Sequence, residues 1–145
     1  MLAKLKRIQI FIPERFLQEE LPWFQMNMGE YAVRTYLIRK PETIAENLEL
    51  VGINVNFDKR TEKEGVVEES GEADLIFRTA NTYYIVETKR PYQAQSGWNQ
   101  LLTAVECFRS EMKMNNQKHD DVIAVFVSTD PRSESLEKED PYIPE

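Results

Sequence analysis

The chain has one cysteine, Cys107, one histidine, His119, and no apolar run longer than the six residues Val122–Val127. Each scarcity excludes something. A single cysteine permits no intrachain disulfide, which makes a reducing, cytoplasmic interior the expected compartment. One Cys and one His cannot build a zinc centre of the usual Cys/His kind. Six apolar residues fall far short of the roughly 20 that a membrane-spanning helix requires, so no membrane partner is expected. Met1–Pro13 carries three basic residues and an apolar stretch, but no small-residue cleavage site follows, and it does not read as a signal peptide. Internal repeats and low-complexity tracts are absent as well.

A surplus of positive charge is also missing: the formal net charge is −7. Its distribution matters more than its total. From Asp130 onward there are six acidic and two basic residues, leaving 16 basic and 19 acidic residues before that point. A locally basic face is therefore compatible with the composition, because binding depends on where charges sit.

What is present describes one compact domain. The 145 residues are 41% hydrophobic, 10% aromatic and 30% charged, the profile of a chain that buries a core. The expected organisation is a single domain over residues 1–129, with 1–28 as an N-terminal extension packed on it, and an acidic, flexible tail over 130–145. Leu5–Ile12 reads as a short strand ended by Pro13, and Glu14–Met26 as a helical segment broken at Pro22. Glu30–Arg39 places Val33, Tyr36 and Leu37 on one helical face, and Pro41 opens a second short helix over Glu42–Leu50. Val51, Ile53, Val55 and Phe57 then alternate with polar residues, as in a half-buried strand. Lys59–Gly71 is charged and carries two glycines, so it is a loop or an extended hairpin tip.

Glu72–Arg78 and Tyr83–Lys89 alternate again around a tight connection at Ala80–Asn81. In Ala94–Met114 an apolar stripe of Leu101, Val105, Phe108 and Met112 marks a helix. Val122–Val127 has the β-branched character of a strand covered on both faces, and a helical crossover makes it parallel to its neighbour.

The chemistry concentrates in the hairpin. With Ala80–Asn81 as the turn, Ile76 faces Ile85, Asp74 faces Glu87 and Glu72 faces Lys89, all on one face. Two carboxylates opposite one another beside buried isoleucines repel unless a cation lies between them. Oxygen ligands of this kind suit Mg²⁺ or Mn²⁺, and Lys89 stands close enough to steady an attacking hydroxide, which together is what phosphodiester hydrolysis needs. The competing reading is an exposed hairpin face decorated with weak ion pairs.

The segment Gly71-Glu-Ala-Asp74, followed by Ile85-Val-Glu87-Thr-Lys89, resembles the core motif of the PD-(D/E)XK nuclease superfamily, and more closely its RecB-like and NucS-type endonuclease domains. Gln100, in Gly97-Trp-Asn-Gln-Leu-Leu, is similar to the glutamine those domains carry on the following helix. Glu30 matches a glutamate at the start of their first helix. The similarity spans roughly Gly29 to Ser128. It implies an α/β, restriction-endonuclease-like core of order αβββαβ, a mixed central sheet flanked by helices, with two strands forking to hold the metal. It implies an Mg²⁺- or Mn²⁺-dependent deoxyribonuclease of DNA repair, recombination or processing, acting on DNA rather than RNA, with a homodimer left open. Asp74 and Glu87 would bind metal with the Thr88 carbonyl, Lys89 would activate water, and Glu30 and Gln100 would support the site.

Phosphate contacts are expected at Arg78, Arg90, Lys59 and Arg60. Three positions depart from the family pattern: Ala73 replaces the motif proline, Ala104 a tyrosine, and Glu72 an arginine. Ala104, Glu72 and the acidic net charge motivate an alternative, a noncatalytic nucleic-acid-binding or assembly module that retains the nuclease fold.

Overall fold

The computed structural model describes residues 2–21, 23, 29–61, 63–89, 94–115, 121–129 and 142–144. Strands are β1 (Leu2–Lys4), β2 (Lys6–Phe11), β3 (Glu49–Arg60), β4 (Val67–Thr79), β5 (Thr82–Lys89), β6 (Asp121–Ser128) and β7 (Tyr142–Pro144); helices are α1 (Glu14–Glu20), α2 (Gly29–Arg39) and α3 (Ala94–Met114). Five strands form one sheet in the order β2-β6-β5-β4-β3. The first three of that order are mutually parallel, and β4 runs antiparallel to both of its neighbours, β5 and β3. The protein is thus α/β, a mixed sheet with helices on both faces. Among the described residues no helix is long and apolar enough to cross a membrane.

Each face has its own core. On one, Trp98, Leu101, Val105 and Phe108 of α3 pack on Ile76, Ile85, Ala124 and Phe126. On the other, Leu17 and Leu21 at α1 and Val33 and Leu37 of α2 cover Leu75, Phe77, Val86, Val125 and Val127. The apolar stripe expected on α3 is the stripe that is buried, with Met112 packed at its margin. β6 supplies buried residues to both cores, as its unbroken apolar run requires.

The expectations for 42–50 and for the two termini need correction, and of the two forms open to Lys59–Gly71 the extended hairpin is the one present. Residues Glu42–Leu50 do not form a helix: a single 3₁₀ turn at Pro41–Thr43 is followed by Asn47 in the left-handed region (φ 59°), and β3 starts at Glu49. Ile44, Ala45, Leu48 and Leu50 are all packed against the core, and a set so spaced serves an irregular segment as well as a helix. The span Lys59–Gly71 is mostly strand. β3 and β4 pair from Glu49↔Arg78 out to Arg60↔Val67, so the hairpin is extended and only 61–66 connects it. Gly65, at φ 65°, donates its amide to the Thr61 carbonyl within that connection.

The N-terminal segment is more than an extension. β2 is an integral edge strand, bonded in parallel to β6 from Lys6↔Ile123 to Phe11↔Ser128. The tail expected to be flexible contributes Tyr142–Pro144, which pair antiparallel with Leu2–Lys4; residues 130–141 lie outside the described residues, as do Pro22 and His119.

Candidate active site

The β4–β5 ladder follows the expected register through Thr79↔Thr82, Arg78↔Tyr83, Phe77↔Tyr84, Ile76↔Ile85 and Leu75↔Val86, and there it ends. Asp74 and Glu87 are the next residues on each strand, so they stand where the two strands part. Both are only 5% exposed.

Asp74 does not simply share a face with Ile76 and Glu87. Ala73 belongs to the α3-side core and Leu75, two positions on, to the opposite core. Regular alternation would put both on one face, so β4 rotates across Asp74. Its neighbour on β3 is Asn54, held at φ 51° between the pairs Ile53↔Leu75 and Val55↔Ala73. Asparagine tolerates that conformation better than most residues.

The rotation aims the Asp74 carboxylate into the fork. Oδ2 accepts the Thr88 amide at 2.7 Å and the Thr88 hydroxyl at 2.9 Å. Oδ1 accepts Nη2 of Arg34, on α2, at 2.6 Å. Arg34 Nη1 in turn donates to Asn54 Oδ1 at 2.9 Å, and its Nε is buried with no hydrogen-bond partner.

Glu87 has less support. Its only ion-pair partner among the described residues is Lys89, with Nζ 3.6 Å from Oε1. Burial pushes the Glu87 carboxyl up to about 8, and the Asp74 charge pushes the same way against Lys89 and Arg34. Near neutral pH the group therefore holds a proton much of the time.

These groups line one cleft of about 490 Å³, together with Ser70, Gly71 and Glu72 of β4 and Asn99, Gln100 and Thr103 of α3. Two close approaches bring α3 to it. A Cβ on Gly71 would lie 2.8 Å from the Ala104 Cα, and one on Gly97 would lie 2.3 Å from Lys89 Cγ and 2.6 Å from a Phe126 ring carbon. Ala104, where the family resemblance leads one to expect tyrosine, is fully buried at the first of these contacts.

Asp74, Glu87, Lys89 and Gln100 are thus brought together, and Glu72 adds an exposed anion to the same cleft. Thr88 enters through its amide and hydroxyl. Glu30, half-buried on α2, is not among the lining residues. Arg34, one helical turn further on, is.

Of the expected phosphate contacts, Lys59, Arg60 and Arg78 do not line this cleft. Lys59 pairs with Glu106 at 2.8 Å, and Arg60 bonds the Gly65 carbonyl and Asp58. Arg78 lies over the Tyr83 ring at the turn end of the hairpin. Arg90 lies outside the described residues. Trp98 of α3 is 2% exposed and belongs to the core.

Among the described residues no group of three or more His, Cys, Asp or Glu gathers as a metal cluster. The donors at the fork are two carboxylates in a buried oxygen-rich setting, which suits a hard divalent cation completed by water and substrate oxygens. Comparison with protein-family models, curated proteins and solved structures gave no match.

Proposed function

We propose that the protein is a nuclease dependent on Mg²⁺ or Mn²⁺, with a restriction-endonuclease-like fold, that hydrolyses phosphodiester bonds of DNA. One observation carries the reading: Asp74, Glu87 and Lys89 meet, nearly buried, where β4 and β5 part, and open into a cleft. Ion pairs decorating a solvated strand face would not be buried in this way, nor would one carboxyl be driven to about 8.

In this reading Asp74 and Glu87 hold the cation, with the Thr88 carbonyl as a further ligand. Once bound, such a cation polarises a phosphate and lowers the pKa of coordinated water. The residues of the chain do the rest. Thr88 fixes the rotamer of Asp74 through two hydrogen bonds. Glu87, whose proton is held first by burial and then by the Asp74 charge, would give that proton up to bind a cation as a carboxylate. Lys89, its stem packed under Gly97, keeps an ammonium beside Glu87, where it orients the attacking water and offsets developing negative charge. Gln100 lines the same wall and offers an amide to the substrate.

The test is cleavage of a panel of structured DNA and RNA substrates in Mn²⁺, in Mg²⁺ and in EDTA. Wild-type protein is expected to cut DNA only with the metal, and Glu87→Ala or Lys89→Ala to lose about 10²–10⁴-fold in rate. Equal cleavage by the variants would overturn the proposal.

A second reading has a specific observation behind it. Arg34 already neutralises Asp74, as it would in a noncatalytic module that keeps the fold and binds nucleic acid or a partner. Calorimetric titration with Mn²⁺ in the presence of a short phosphorothioate DNA strand separates the two readings, since this one requires no binding tighter than millimolar even with DNA bound.

A further inference from the structure

Asp74 has two oxygens, and both are occupied. Oδ2 is held by a backbone amide and a threonine hydroxyl, both from β5. Oδ1 is held only by the Arg34 guanidinium. A cation that uses Asp74 must therefore displace Arg34 or share its oxygen, and sharing sets two positive centres on one atom.

Arg34 is built to let go. Its side chain is 19% exposed and lines the cleft rather than a closed core. Nη1 has a second anchor in Asn54, so the guanidinium need not return to solvent when it leaves Asp74. Its Nε is buried without a partner, one donor unused. Guanidinium binds phosphate as readily as carboxylate, often through two parallel bonds. An anionic phosphodiester in the cleft would compete with Asp74 for it.

We propose that Arg34 is an exchange residue that couples the two ligands of this site, guarding Asp74 until a phosphodiester draws its guanidinium away and leaves Oδ1 to the cation. The inference rests on the metal-dependent reading of the site. Arg34 is a positioning residue for the cation and a contact residue for the phosphodiester. In the absence of phosphodiester the protein binds the cation weakly, so solution metal does not fill a site with no substrate in it. Coupling of this kind is reciprocal: the cation strengthens phosphodiester binding by the factor by which the phosphodiester strengthens cation binding.

The experiment is calorimetric titration of the full chain with Mn²⁺, with and without a saturating short DNA strand whose linkages are phosphorothioates. Wild type is compared with Arg34→Gln and Arg34→Met, each checked for folding by circular dichroism. Arg34→Gln keeps a hydrogen-bonding side chain beside Asp74, so a folded variant is available even if methionine is not tolerated. Without DNA, the folded variant is expected to bind Mn²⁺ at least tenfold more tightly than wild type, and the tightening caused by DNA is expected to be largest in wild type. Equal or weaker Mn²⁺ binding by the variant overturns the exchange role. If wild type still cleaves DNA in Mn²⁺, that result leaves the nuclease reading in place. Tighter Mn²⁺ binding by the variant with no cleavage by wild type does the reverse. No Mn²⁺ binding by any of the proteins overturns both.

Discussion

The two ends of the β4–β5 hairpin are built from similar alternating sequence and behave differently. At the turn end the ladder is closed from Leu75↔Val86 to Thr79↔Thr82, and its inward side chains fill both cores. At the other end the ladder stops, and beside Ala73 the polar residues Asp74, Glu87 and Thr88 are buried. Closed sheet satisfies the backbone with backbone and leaves only apolar side chains to bury. Once strands separate, the freed amide of Thr88 needs an acceptor, and a carboxylate can be buried by supplying it. The fork makes buried charge affordable, and the same opening gives a ligand access to it.

Substitutions at the two ends should therefore differ in sign. Ile85→Ala removes a fully buried side chain at the closed end, and a loss of about 2–5 kcal/mol is expected in denaturant unfolding. A loss below about 1 kcal/mol would mean that this end is loosely packed.

Glu87→Gln at the open end should do the opposite in metal-free protein. The folded-state value of about 8 lies above the ordinary 4.5, so the folded protein binds this proton more tightly than the unfolded chain. The stability that goes with it is complete below about 4.5 and is lost as pH rises through about 8. Metal-free wild type should melt progressively lower from pH 6 to pH 9, while Glu87→Gln holds, with a gap on the order of a few kcal/mol at the alkaline end. Parallel melting curves for the two proteins across that range would break the comparison.

Gly97→Ala tests how the helix frames the fork. The added Cβ would collide with Lys89 and Phe126, and a cost of about 1–3 kcal/mol is expected, with activity falling further than stability because the lysine stem must move. An effect on melting alone, with activity intact, would detach Lys89 from the chemistry. The smallest effect belongs to the turn. Ala80 sits at φ 45°, a conformation that glycine enters freely, so Ala80→Gly is expected to change stability by no more than about 1 kcal/mol, in the favourable direction. Clear destabilisation would show that the turn is held by more than local backbone preference.

Much of this hairpin could be read from residue order alone, because a two-residue turn and period-two alternation fix a register. The limits Ala94–Met114 for α3 followed equally from one apolar stripe. The point at which the ladder stops could not be read. It depends on the rotation of β4 at Asp74 and on Asn54 across from it, and neither residue signals that from its own neighbours. Arg34 was overlooked for a related reason. A charged residue on a helix usually faces water, and only the fold shows that α2 turns this one toward Asp74. The segment 42–50 misled because its apolar spacing fits two conformations, and a single left-handed asparagine chose between them. The place of β2 was hidden too, since its partner β6 lies almost the whole chain away.

That last pairing has a consequence on the ribosome. β3, β4 and β5 are joined by short connections and can assemble as each emerges, but β6 must enter between β5 and β2, neither of which can close the sheet without it. Until α3 and β6 have been synthesised, β2 and the outer edge of β5 each present a row of unbonded amides and carbonyls. Parallel closure over so long a loop is slow, and the waiting edges are where a nascent chain would pair wrongly with its neighbour. The yield of folded protein should therefore depend most on how soon β6 reaches its slot.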